Sequence, residues 1–207
     1  MARKTTRKKS ADPAARLREA AMAFAAEGRW RDLSLAEIAQ RAGLAIAEAY
    51  VIYPSKSDIL RAQLRAVDEI VLSGTEADLG MEPARDRLFD VTMRRLDAMA
   101  PYKASIATIL HDLGRDPLAA FCALPYFRRS LSAMLEAAGL SSEGLIGLVR
   151  IKALAAVYLA TIRVWFRDES EDLSPTMAAL DRNLTRLDKL VKSCRCAGRP
   201  LSRRQEG

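Results

Sequence analysis

The stretch Ser34-Leu-Ala-Glu-Ile-Ala-Gln-Arg-Ala-Gly-Leu-Ala-Ile-Ala-Glu-Ala-Tyr-Val-Ile-Tyr-Pro-Ser-Lys56 decides how the rest of the chain is read. Ser34 with Glu37 three residues on is a capping box, the signature of a helix start. Leu35, Ile38 and Ala39 then recur at helical spacing and face inward, Gly43 makes a tight turn and Leu44 anchors it. A second helix spans Ala45 to Ile52. Pro54 ends it, because proline lacks a backbone donor and crowds the preceding turn. Two short helices across such a turn form a helix-turn-helix, whose second helix fits a DNA major groove. Base edges are read by Arg, Lys, Asn, Gln, Ser and Thr, yet none of these occurs between Leu44 and Tyr53.

The pattern extends in both directions. Asp12 is a good N-cap with proline following at the first helical position. Leu17, Ala20, Ala21, Phe24 and Ala25 make an apolar helix face, Gly28 ends it as a left-handed cap, and Trp30 and Leu33 pack the connecting loop. Downstream, Ser55 caps a longer helix over 56–73 that carries Ile59, Leu60, Leu64, Val67 and Val71 on one side. Pro83, Pro101, Pro117 and Pro175 stand near helix starts and divide the remainder into helices over 84–99, 102–113, 117–137, 142–167 and 174–192. No strand-like alternation of useful length and no internal repeat is present. The expected fold class is all-α. The expected organisation is a basic disordered arm over 1–11, a helix-turn-helix domain over 12–56, a helical ligand-binding and dimerisation body over 57–193 and a basic disordered tail over 194–207.

Composition agrees with that reading. The 207 residues are 50% hydrophobic and 29% charged, with only 10 Gly and 8 Pro, which supplies a core and favours helix. The net charge of +7 is uneven. Arg3, Lys4, Arg7, Lys8 and Lys9 crowd one end, and Lys189, Lys192, Arg195, Arg199, Arg203 and Arg204 the other, while the middle is near balance. Such excess positive charge draws a chain to polyanions, and the N-terminal run suits phosphate or minor-groove contact. Polar first residues with no apolar core behind them do not make a signal peptide. The longest apolar segment, Ile151 to Phe166, is interrupted by Lys152 and Arg163, so no membrane span is expected and a soluble, cytoplasmic protein is. Cys122 lies in an apolar helical stretch and reads as a core thiol, while the spacing of Cys194 and Cys196 fits neither a zinc knuckle nor a redox pair.

The landmarks Ala21, Phe24, Gly28, Trp30, Leu35, Ile38, Ala39, Ala42, Gly43 and Leu44 continue in Tyr50, Tyr53, Pro54, Ser55, Lys56, Ile59 and Leu60. With them, residues 17–64 resemble the DNA-binding head of the TetR family of bacterial transcriptional regulators. The resemblance implies a three-helix head, a linking fourth helix, and a body that binds a ligand and dimerises through its last two long helices. It also implies phosphate contacts from Tyr50, Tyr53 and Lys56, with the helix start at Ser34 turned to the backbone. The groove-facing places hold Ala45, Ile46, Ala47 and Glu48, where the family usually carries polar or basic residues. The segments beginning at Tyr158 and at Thr176 resemble a second group, the lipid-binding accessory proteins of ubiquinone biosynthesis that share the TetR fold. That likeness implies an alternative in which specific DNA binding has been lost.

The expected partners are therefore operator DNA, a second copy of the chain and a small apolar ligand or lipid. Tyr158, Ile162, Trp165 and Phe166, at spacings of three and four, form an aromatic-rich face that reads as core, dimer interface or ligand lining, with Tyr158, Ile162 and Trp165 the candidate lining residues. Met93, Leu110 and Phe121 join them as candidate lining residues. The acidic run Asp168, Glu169, Glu171 and Asp172 reads as a solvated loop whose charge suits the start of the last helix. His111 is the only histidine, no second ligand stands at metal spacing, and no Gly-rich phosphate loop or triad is present. An enzyme, a metal and a cofactor are not expected.

Overall fold

A computed structural model describes residues 12–74 and 82–197. The expected arm over 1–11 and the last ten residues of the expected tail lie outside them. Among the described residues there are helices and no strand. They are α1 (Pro13–Ala26), α2 (Leu35–Arg41), α3 (Ile46–Ile52), α4 (Lys56–Ser73), α5 (Ala84–Met99), a 3-10 turn (Ala100–Tyr102), α6 (Lys103–Leu113), α7 (Pro117–Ala137), α8 (Gly144–Trp165) and α9 (Ser174–Ala197). Ala45 is the cap of α3 rather than its first residue. The last helix continues through Cys194 and Cys196 to Ala197, past the boundary expected at 193.

The chain divides into two compact units, one of Met1–Ile70 with Ala98–Ser130, the other of Val71–Asp97 with Leu131–Gly207. In the first, α1, α2 and α3 pack on one another and α6 packs on α1. Leu17, Ile38, Ala49 and Ile59 are wholly buried there, with Ala21, Phe24 and Ile109 around them. Helix α6 joins this unit for a physical reason. Ile109 adds apolar surface to the core, and the buried Ser105 hydroxyl donates to the Met22 carbonyl at 2.8 Å, satisfying both groups.

Cys122 corrects another expectation, since it is exposed rather than a core thiol. The first half of α7 also exposes Leu118, Phe121 and Leu124. Periodicity identified residues that share a helix face without establishing that anything covers it.

The second unit packs α8 against α9 around Leu88, Leu96, Met134, Leu154, Trp165 and Leu180. Arg85 ties α5 to α9 through Asp181 and through Thr185 at 3.2 Å. The α8–α9 loop is not simply solvated: Asp168 is buried. Its carboxylate accepts from the N–H and hydroxyl of Ser170 at 3.1 and 2.5 Å and from those of Thr176 at 3.0 and 2.5 Å. Burial opposes ionisation of Asp168, but these hydrogen bonds prevail and bring its pKa down to about 2. Helix α8 is long and apolar enough, by length and composition alone, to cross a membrane. It nevertheless buries Ile151, Leu154, Val157, Tyr158, Ile162 and Trp165.

Candidate nucleic-acid interface

The candidate interface is built from its caps outward. The Ser34 hydroxyl accepts from the Glu37 N–H at 3.3 Å, and the Glu37 carboxylate accepts from the Ser34 N–H at 3.0 Å and hydroxyl at 2.8 Å. Those bonds, the Ser34 N–H first, hold Glu37 below the usual carboxylate range. Ser34 thus caps the start of α2, as the capping box predicts. At the other end of α2, the N–H groups of Gly43 and Leu44 return to the carbonyls of Gln40 and Ala39 at 3.0 and 2.9 Å. Gly43 adopts a φ of +65°, where a side chain would be strained.

Arg16 adds a brace that the sequence reading missed. Its guanidinium donates to the carbonyl of Ala42 and, at 2.9 Å, to that of Gly43. Helix α1 therefore satisfies acceptors that the end of α2 leaves open.

The turn projects α3 with Ala49 buried and Ile52 and Tyr53 partly buried. Ala45, Ala47 and Glu48 are exposed. Ile46 is 49% exposed, Tyr50 60% and Val51 84%. The groove-facing residues expected from sequence thus share the open side of one helix, and that side is mostly hydrocarbon. Tyr53 is held differently: its hydroxyl meets Arg18 Nη1 at 3.4 Å.

Lys56 is held as well. Its ammonium donates to the carbonyls of Trp30 at 2.9 Å and Arg31 at 2.6 Å and lies 5.6 Å from the Trp30 ring centroid. Burial lowers its pKa, against the pull of the Asp32 and Asp112 carboxylates. Lys56 staples the start of α4 to the loop between α1 and α2, a task no sequence spacing revealed. Trp30, Lys56, Leu60, Asp112, Cys122 and Tyr126 are among the residues lining a cavity of about 190 Å³ beside that staple.

Other cations of the head are spent internally as well. Arg29 and Arg41 flank the Phe24 ring at 4.8 and 4.5 Å and pair with Glu37 and Glu27 at 2.6 and 2.7 Å. Over 12–56 the six cations Arg16, Arg18, Arg29, Arg31, Arg41 and Lys56 are matched by six carboxylates. The five cations of residues 1–11 face no acidic residue in that run. The positive charge expected of a DNA-binding head thus resides in the residues before α1.

The six expected ligand-lining residues divide between the two units. Met93, Tyr158, Ile162 and Trp165 belong to the second unit, whereas Leu110 and Phe121 belong to the first. Leu110 is 46% and Phe121 73% exposed. Tyr158, Ile162 and Trp165 are buried. The Tyr158 hydroxyl meets the buried Arg95 guanidinium at 3.3 Å.

No protein-family model matches the chain, and no curated protein matches it either. Solved structures do match. A TetR transcriptional regulator from Nitrosomonas europaea has a TM-score of 0.70 at 23% identity, over 86% of this chain and 99% of that one. Another TetR transcriptional regulator, from Rhodococcus sp. RHA1, has a TM-score of 0.61 at 20% identity, over 84% and 94%. These likenesses lend no support to the lipid-binding alternative. The helix-turn-helix, the helical remainder and the near-complete coverage of both solved proteins together place the chain in the TetR fold.

Proposed function

We propose that the protein is a homodimeric, cytoplasmic transcriptional regulator that binds operator DNA through α3 and responds to a small apolar ligand. The observation that carries this reading is the open side of α3, presented by a braced turn within a three-helix head. Tyr50 and the basic residues before α1 supply phosphate contact, the latter without sequence preference. A dimer through α8 and α9 is supported by Leu145, Ile146 and Val149 on α8, exposed at 84, 68 and 65%, and by Leu190 on α9 at 64%. A ligand in the second unit would meet Met93, Tyr158, Ile162 and Trp165, and would act by favouring one spacing of the two heads over another.

The test is selection of duplexes by the full-length chain from a random library, followed by anisotropy titration over a range of salt concentrations. Enrichment of a two-fold symmetric sequence, bound at least about a thousandfold tighter than random DNA, is the expected result. Sequence-indifferent binding that disappears at moderate salt overturns the reading.

A further inference from the structure

We infer that α3 selects its operator chiefly by contact with thymine methyl groups rather than by hydrogen bonds to base edges. This rests on the reading of the chain as a DNA-binding regulator and specifies how that site chooses sequence. Ile46, Ala47 and Val51 are all exposed and fall on one side of α3. None of them has a donor or an acceptor in its side chain. In the major groove the C5 methyl of thymine is the apolar feature of the base-pair edges, and the other features are donors and acceptors. Setting isoleucine or valine against a G·C edge removes water from polar atoms and returns no hydrogen bond. Setting either against thymine buries a methyl at both surfaces.

Glu48 sharpens the choice. It is exposed on the same short helix and is an acceptor when ionised. It fits the cytosine amino group and is repelled by the N7 and O6 acceptors of guanine. The favoured half-site is therefore rich in thymine, admits cytosine opposite Glu48 and rejects guanine along the contacted strand. DNA, rather than a protein groove or a bilayer, is the occupant that fits the rest of the head. The five cations immediately before α1 complement a polyanion, and Arg16 fixes the turn from which α3 projects.

The test uses duplexes enriched by the full-length chain, with each thymine replaced in turn by uracil. That change removes the methyl and leaves every hydrogen-bonding group in place. Affinity should fall about fourfold for each methyl that is contacted, the usual worth of one buried carbon group. Restoring a methyl as 5-methylcytosine in place of a tolerated cytosine should raise affinity. Ile46→Ala and Val51→Ala should each abolish the uracil effect at one position while leaving the melting temperature unchanged, since both side chains are exposed. An enriched duplex whose affinity is indifferent to every uracil replacement overturns this inference and leaves the regulator reading standing. Failure to enrich any sequence overturns both.

Discussion

Arg16 on α1 reaches the carbonyl oxygen of Gly43 at 2.9 Å, and through that bond the first helix of the head holds the turn that aims the third. A Cβ added to Gly43 would stand 3.0 Å from the same guanidinium nitrogen, at a φ of +65°. The brace and the glycine are thus two parts of one local fit.

Arg16→Ala should cost about 1–2 kcal/mol, because two carbonyls lose a charged donor at a partly exposed site. Gly43→Ala should cost a similar amount from left-handed strain alone, with more from displacing Arg16. Thermal denaturation of both variants checks this, and unchanged melting in either would contradict the brace.

Lys56→Met should lower stability by about 2 kcal/mol, as two charge-assisted hydrogen bonds to the loop are lost. The slope of log affinity against log salt should stay as it is. Loss of a phosphate contact would reduce that slope by about one. A reduced slope with unaltered melting would restore Lys56 to the role its sequence position suggests.

Asp168 should govern acid stability in the second unit. Its folded pKa of about 2 lies below the ordinary value near 4. The stabilisation is therefore fully present above about pH 4 and is lost as pH falls through about 2. Asp168→Asn should melt lower at neutral pH and show a shallower decline in stability between about pH 4 and pH 2. A decline as steep as that of the parent protein would exclude Asp168 as its source.

Leu145→Glu combined with Val149→Glu should give a monomer. The two residues are four apart on α8 and exposed at 84 and 65%, so the charges create repulsion across a self-paired helix without entering the core. Sedimentation velocity reads the result, and a dimer unaffected by both changes would move the interface elsewhere.

The helices were largely legible because their punctuation is local. Asp12 with Pro13, Ser34 with Glu37, and Pro54 with Ser55 are signals within four residues, and α4, α5 and α7 occupy the expected spans. Side-chain partners were not legible. Nothing near Lys56 in sequence indicates carbonyls 25 and 26 residues earlier, and nothing near Arg16 indicates Gly43. Cys122 failed in the opposite way, since an apolar helix pattern predicts a shared face without predicting its cover. Asp168 resembled its acidic neighbours until two hydroxyls folded onto it.

The open side of α3 also separates attraction from choice. Ile46, Ala47 and Val51, unlike Glu48 beside them, hold no counterions to release and no proton to exchange. Raising the ionic strength would detach the protein from DNA of every sequence by weakening what the basic residues before α1 contribute. The ratio of affinities for two thymine-containing sites would remain nearly constant. Such a regulator would bind less in a saltier cell while preserving the ranking of its targets.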